Sequence, residues 1–232
     1  MKVSAIIPVA GQGKRFGGKT PKQFLNIGDQ SIIEITLKKF LSHDSINHGV
    51  VLVSDRELEF SRNVFLQIDG FEEKFKIVIG GKKRQDSVYN GLKNIPSDTD
   101  IVIIHDGVRP LVSSQLITQS IQTASATGAC IAAIPVKDTI KRVQNETIIE
   151  TISRDNLWQA QTPQAFKYSV LKDAHNKAKK AGFYSTDDSS LVEWYGHPVN
   201  IILGEYSNIK ITTTIDLNLS QLLYQKVPLK CE

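Results

Sequence analysis

The chain has little cysteine and no long apolar run. Its two cysteines, Cys130 and Cys231, stand far apart, and neither has a CxxC partner or a histidine at metal-ligand spacing. That argues against a disulfide framework and a cysteine zinc site, and for a reducing compartment. The apolar opening VSAIIPVA is short, is interrupted by Pro8 and runs into glycines and basic residues. It is read as a buried strand, not a leader. No run approaches membrane-spanning length. A cytoplasmic protein with no membrane partner is expected. Acid is also missing from the start. The first carboxylate is Asp29, after Lys2, Lys14, Arg15, Lys19 and Lys22. The remaining 23 basic side chains face 24 acidic ones, so the net charge of +4 is local. Nucleic-acid binders show a broader basic stripe, so no nucleic-acid partner is expected. A local cluster suits a small, highly charged anion.

What the chain does contain is ordinary core material. Its 232 residues are 41% hydrophobic and 22% charged, enough for one folded domain over 1–232. Short β-branched runs at 3–7, 50–54, 76–79, 101–105, 129–135 and 199–203 read as strands. Helical patterns fall at 31–41, 56–68, 84–95, 113–127, 167–181 and 216–224. This alternation predicts an α/β domain with a mainly parallel mixed sheet and helices on both faces. In such sheets ligands gather at the carboxyl ends of strands. That singles out the loops after Pro8, Ile79, His105 and Pro135. Residues 138–142, a turn at Asn145-Glu146 and residues 147–152 read as a hairpin. A lone hairpin is marginal in water, so it packs either on another subunit or on its own domain.

The opening loop, AGQGKRFGGKTPKQFL, admits three readings. Gly13 to Thr20 formally matches GxxxxGK[ST]. A P-loop needs its threonine in the first turn of a helix, and Pro21 pushes Thr20 out of the α region. A dinucleotide fingerprint starts with Gly11-Gln12-Gly13 but meets Phe16 at the third glycine. The third reading is the longer pattern of a strand, AGxGxRF, a short gap and PKQFL. This pattern is similar to the signature of nucleotidyltransferases that join a sugar or polyol phosphate to a nucleotide. Glycines let backbone N–H groups approach phosphate oxygens. The gap lets Arg15 and Lys22 converge on one phosphate, and positioning plus charge neutralisation is most of what such chemistry requires.

Two further glycine or acid turns follow strands. His105-Asp106-Gly107-Val108-Arg109-Pro110 places a carboxylate at a strand end. Asp106 is there either a ligand for Mg²⁺ or a turn acid. Arg109 pairs either with it or with substrate. Gly80-Gly81-Lys82-Lys83-Arg84-Gln85-Asp86-Ser87 feeds a helix whose positive end suits an anion.

Taken in order, AGQGKRF, TPKQFL, GGKKRQDSV, HDGVRP, PVKDT, RDNLWQAQTPQAF, STDDSSLVE and NIKIT resemble the 2-C-methyl-D-erythritol 4-phosphate cytidylyltransferases over about residues 3 to 224. The resemblance implies a Rossmann-like nucleotidyltransferase fold with a projecting β-hairpin arm at about 137–160 that makes a homodimer. It implies CTP, methylerythritol phosphate and Mg²⁺ as partners, in non-mevalonate isoprenoid synthesis. Carried over by motif, Arg15 and Lys22 match the cations on the reacting phosphate, and Asp106 matches the metal ligand. Ala10, Gly11, Gly13, Gly81 and Ser87 match nucleotide-holding positions, to which Arg15, Lys22 and Asp106 also belong. Arg109, Thr139, Thr162 and Thr186 match the acceptor pocket. Arg154, expected from the partner subunit, and Lys210 match the residues that place the acceptor phosphate for in-line attack.

Two positions depart from the family pattern. Val9 stands where a second alanine is usual, and either crowds the base or points into the core. Gly107 stands where alanine or serine is commoner, a change expected to be harmless. The rival enzyme reading is a ribitol 5-phosphate cytidylyltransferase, which shares much of the donor site. The non-enzyme rival is a nucleotide-binding regulatory protein.

Overall fold

The structure, a computed structural model, describes residues 1–9 and 21–225. In chain order the elements are β1 (Val3–Pro8), β2 (Asn26–Ile27), β3 (Gln30–Ser31), α1 (Ile32–Leu41), β4 (His48–Val53), α2 (Leu58–Phe65), α3 (Phe71–Lys74), β5 (Phe75–Ile79), α4 (Arg84–Asn94), β6 (Ile101–Ile104), α5 (Ser114–Thr127), β7 (Ala129–Pro135), β8 (Ile140–Gln144), β9 (Thr147–Ile152), β10 (Trp158–Lys167), α6 (Tyr168–Ala181), α7 (Asp188–Tyr195), β11 (Asn200–Leu203) and α8 (Thr214–Gln225). Short 3-10 turns cover Lys22–Phe24 and Asp55–Glu57.

Seven strands form one sheet in the order β11-β7-β10-β6-β1-β4-β5. The pairs β1–β4, β1–β6, β4–β5 and β7–β11 are parallel, while β10 runs antiparallel between β6 and β7. The apolar runs explain the central placement. Val3, Ala5, Ile6 and Ile7 of β1 and all four residues of β6 are at most 1% exposed, as expected for strands covered on both faces. One covering layer is built on Ile33, Leu37, Phe40, Phe65, Leu116 and Ile121. The other uses Val88, Leu92, Leu171, Ala174 and Leu191.

Local chemistry sets the boundaries. Ser31 caps α1 through a reciprocal bond pattern with Glu34. The segment over Asn26 to Asp29 turns through Gly28 at φ 61, so no long helix follows the opening loop. The helix expected over 56–68 is shorter: a 3-10 turn leads into α2, which ends at Phe65. The sequence pattern does not mark the central strand β10, the eight-residue α7 or the short β2, β3 and α3.

The hairpin is present. β8 and β9 pair antiparallel as a separate two-stranded sheet. Asn145 (φ 47) and Glu146 (φ 63) form its tip, the paired positive φ values that match hairpin twist. Val143, Ile148 and Ile149 along it are more than half exposed.

Val9 is 5% exposed and packs in the same core layer as Ile7 and Ile33. It therefore points into the core. Gly107 lies against it: a Cβ added there would stand 3.1 Å from Val9 Cγ2 and 2.9 Å from Ile33 Cδ1. Val9 and Gly107 thus share one volume. A larger residue at 9 fills the space a methyl at 107 would need.

Candidate active site

Because β1 and β6 are parallel neighbours, the loops after Pro8 and Ile104 leave the same edge of the sheet. Asp106 sits on that edge, 8% exposed, and three cations converge on it. Lys210 Nζ is 2.8 Å from Oδ2, Arg109 Nε is 3.7 Å from Oδ2, and Arg84 Nε is 3.8 Å from Oδ1. Burial by itself would raise the Asp106 pKa. The charges of Lys210, Arg84 and Arg109 outweigh it and hold the carboxyl well below the usual carboxylate range.

Each cation is itself positioned. Arg109 is 8% exposed and donates from Nη1 to the Asn208 carbonyl at 2.6 Å, while its buried Nε makes no hydrogen bond among the described residues. Burial lowers its pKa and Asp106 opposes that, but a guanidinium keeps its charge regardless. Asn208 is fully buried and donates from Nδ2 to the Thr162 carbonyl at 2.8 Å, which fixes the strand-like segment that presents Lys210 two residues later. Lys22 donates to the Ile211 carbonyl at 3.1 Å, in the same segment. Ile211 N–H in turn bonds the Val108 carbonyl at 3.0 Å. Lys22, Lys210 and the turn that carries Asp106 and Arg109, separated widely in sequence, are therefore brought together.

His105 and Thr162 hold the Asp106 loop from below. His105 Nε2 lies 3.0 Å from the Arg109 carbonyl, an acceptor, so that nitrogen carries the proton. Nδ1 then accepts from the Thr162 hydroxyl at 3.1 Å, and the same hydroxyl oxygen accepts from Asp106 N–H at 3.1 Å. Burial pushes the His105 pKa down to about 4, so the ring is neutral at physiological pH. Thr162, 4% exposed, has its hydroxyl committed within the protein.

At the start of α4, Gly81 N–H donates to Ser87 Oγ at 2.9 Å, and Ser87 Oγ donates to the Lys83 carbonyl at 3.1 Å. A Cβ on Gly81 would lie 2.3 Å from Asp86 Cβ, so only glycine fits this close approach. The remaining expected positions lie apart from the Asp106 cluster. Thr139 and Arg154 sit at the base of the hairpin, where Arg154 Nη1 donates to the Lys137 carbonyl. Thr186 is exposed before α7, its hydroxyl 3.5 Å from Ser190 Oγ. Ala10, Gly11, Gly13 and Arg15 lie outside the described residues.

Sequence reasoning left Arg84, Asp188, His105 and Asn208 without a role. Arg84 Nη1 is 2.6 Å from Asp188 Oδ2, and Asp188 is 1% exposed. Burial would raise the Asp188 pKa, but Arg84 and His175 pull it below the ordinary value. Arg84 thus bridges two buried carboxylates, Asp188 and Asp106. Both residues stood inside motifs quoted from the sequence, GGKKRQDSV and STDDSSLVE. No signal in either motif showed that they meet.

A mainly parallel α/β sheet with a buried carboxylate at its carboxyl edge, ringed by cations and backed by a glycine turn opening a helix, is the arrangement expected of the nucleotidyltransferase class. The family model for IspD, 2-C-methyl-D-erythritol 4-phosphate cytidylyltransferase, matches residues 3–226. The chain belongs to that family. It is 46% identical over 217 residues to the 2-C-methyl-D-erythritol 4-phosphate cytidylyltransferase of Alkaliphilus oremlandii, covering 93% of this chain and 92% of that one. The Halalkalibacterium halodurans protein of the same name is 43% identical, covering 94% of each chain. The crystal structure of the 4-diphosphocytidyl-2C-methyl-D-erythritol synthase of Anaerococcus prevotii superposes with a TM-score of 0.84 at 31% identity, covering 97% of this chain and 96% of that one.

Proposed function

We propose that this site transfers CMP from CTP to 2-C-methyl-D-erythritol 4-phosphate, giving 4-diphosphocytidyl-2-C-methyl-D-erythritol and pyrophosphate, as a step of non-mevalonate isoprenoid synthesis. The chain is a cytidylyltransferase. An oxygen of the acceptor phosphate forms a bond to the α-phosphorus of CTP, the bond from that phosphorus to the β-phosphate oxygen breaks, and pyrophosphate leaves. The observation that carries this reading is the convergence of Lys210, Arg109 and Arg84 on the buried Asp106, with Lys22 held at the carbonyl of Ile211 beside Lys210. Two polyanions must meet here, and fixed cations in a partly dry site offset their repulsion.

The residues fit a divalent cation. Mg²⁺ is commonly held by one or two carboxylates plus substrate phosphates, without a full protein cage. Asp106 supplies a hard oxygen of the right kind, and among the described residues Oδ1 faces only the distant Arg84 Nε at 3.8 Å. The bound metal would neutralise charge on the triphosphate. The acceptor needs no general base, because a phosphate monoester loses its second proton with a pKa near 6. In this reading Lys22 and Arg15 stabilise charge on the α-phosphate, and Gly81 and Ser87 help hold the nucleotide. Lys210 leaves Asp106 to hold the acceptor phosphate in line, with Arg109, Thr139, Thr162 and Thr186 on the acceptor side.

The hairpin, with Val143, Ile148 and Ile149 exposed along it, is read as the dimerisation arm over about 137–160, and Arg154 as reaching the partner's acceptor phosphate. Equilibrium sedimentation tests this: a monomer at micromolar concentration would remove Arg154 from any neighbouring site. Among the described residues no helix is long and apolar enough to cross a membrane, and a cytoplasmic location is proposed with the pathway. The deciding assay is pyrophosphate release with Mg²⁺, crossing CTP, ATP, GTP and UTP with methylerythritol 4-phosphate and ribitol 5-phosphate. Release with CTP and methylerythritol phosphate alone supports the assignment. Release with ribitol phosphate instead moves the acceptor assignment, and no release with any pair overturns the enzyme reading.

A further inference from the structure

A cavity of about 200 Å³ opens on the far side of α4, between it and the end of α6. Tyr89 and Lys93 of α4, His175 and Lys179 of α6, and Phe183 and Tyr184 beyond it line the space. Of these residues only His175 touches the site described above, through Asp188. Lys93 Nζ and Lys179 Nζ lie 4.3 Å and 4.9 Å from the centre of the same Tyr89 ring. Sharing one ring keeps the two ammonium groups within about 9 Å of one another, near the screening length of physiological salt, so they repel. The ring's π-face offsets part of that, and an anion received by both would offset the rest.

The acid on the wall does not fill that role. Asp86 accepts the Lys83 N–H at 3.1 Å through Oδ2 and faces the Tyr184 hydroxyl at 3.4 Å through Oδ1. The floor holds a further polar group. His175 is 2% exposed and stacks on Tyr89 with 5.9 Å between ring centres, while its buried Nε2 faces Asp188. The side wall is aromatic: Phe183 is itself held by stacking at 4.4 Å on Trp194. Flat walls, a cationic rim and a volume below the roughly 300–1,000 Å³ of larger ligand sites select a small aromatic anion.

His175 also links the cavity inward. Its Nε2 is 3.7 Å from Asp188 Oδ1, and the other Asp188 oxygen holds Arg84 at 2.6 Å, which in turn faces Asp106. We propose that this cavity binds a small aromatic phosphate and that its occupancy is felt at the nucleotide site through His175, Asp188 and Arg84. The second half rests on the reading of Asp106 as part of the nucleotide site; the first half does not.

Phenyl phosphate is the probe, titrated calorimetrically into the full chain without nucleotide. Saturable binding is expected, weakened at least tenfold in Lys93→Glu/Lys179→Glu and unchanged in the charge-matched surface variant Lys38→Glu/Lys39→Glu. Saturating CTP and methylerythritol phosphate are expected to leave that binding in place. Phenyl phosphate is also expected to shift the apparent KM for CTP at least twofold in the wild type and not in Lys93→Glu/Lys179→Glu. No saturable binding, equal binding in the cavity variant, or displacement by the substrates overturns the site. Binding without any change in KM overturns the link to Asp106, whatever the identity of the substrates.

Discussion

Replacing Gly107 by alanine should destabilise the protein, and replacing Val9 by alanine in the same chain should remove part of that cost. The new methyl of Gly107→Ala would stand 2.9 Å from Ile33 Cδ1 and 3.1 Å from Val9 Cγ2, inside normal contact. Overpacking of this kind costs roughly 1–3 kcal/mol. The smaller unfolded-state entropy of alanine returns about 0.4–1 kcal/mol, since Gly107 has no positive φ. A net loss of about 1–2 kcal/mol is therefore expected. Val9→Ala alone removes two methyl groups from a side chain that is 5% exposed. At about 0.8 kcal/mol per buried carbon plus the void left behind, it should cost roughly 2–3 kcal/mol. In the double variant the new methyl occupies part of that void and Ile33 gains room to move. A favourable coupling of about 1 kcal/mol follows, above the roughly 0.3–0.5 kcal/mol by which independent, distant sites depart from additivity. Urea unfolding of the four proteins, with a common m-value, measures it. Strict additivity would refute the claim that Val9 and Gly107 share one volume.

Other expectations follow from the buried groups. His105 has a folded pKa of about 4 against about 6.5 when unfolded, so the unfolded chain takes up its proton first. Its contribution is complete above pH 6.5 and is lost as pH falls towards 4, on the order of 3 kcal/mol; an imidazole titrating near 6.5 in the folded protein, by NMR, would contradict this. Asp188→Asn should cost about 3–5 kcal/mol in urea unfolding, because it leaves Arg84 without its closest buried partner, and an unchanged midpoint would deny the pair that role. Cys130 is fully buried, donates to the Ser120 carbonyl at 3.2 Å, and has its pKa pushed up to about 12 by burial. In a Cys231→Ser background it should resist iodoacetamide when native and react in urea; fast labelling of the native protein would refute the burial argument.

The sequence made the parallel part of the sheet legible because β1, β4, β6 and β7 are continuous apolar runs, a pattern that both-face burial requires. β10 hid because its buried residues include Gln161 and Gln164. Their amides are satisfied by the Glu205 carbonyl at 2.9 Å and Asp187 Oδ2 at 2.7 Å, partners that lie far away in sequence. Pro163 also sits in the bulge between Ala160 and Gln164, where a central strand would not be expected from sequence. α7 is eight residues long, too short for periodicity to mark. At the site, Asp106 and Lys22 could be picked out from strand ends, glycines and a run without acids. Arg84 could not, since its closest carboxylate is 104 residues away. Lys210 and Thr162 were reached through resemblance, and the physical reason for Thr162 is the hydroxyl that joins His105 to Asp106 N–H. Sequence alone does not decide whether Val9 faces base or core; the packing against Ile33 and Gly107 decides for the core.

The most direct test of the central claim is pyrophosphate release from CTP and methylerythritol 4-phosphate in Asp106→Asn, with the fold checked by its urea midpoint. The substitution keeps the side-chain shape and removes the charge on which Lys210, Arg109 and Arg84 converge. A folded variant with kcat reduced by about 10²–10³ or more is predicted, the range seen when one preorganised charge-stabilising group is lost. A folded variant that releases pyrophosphate at the wild-type rate would contradict the account.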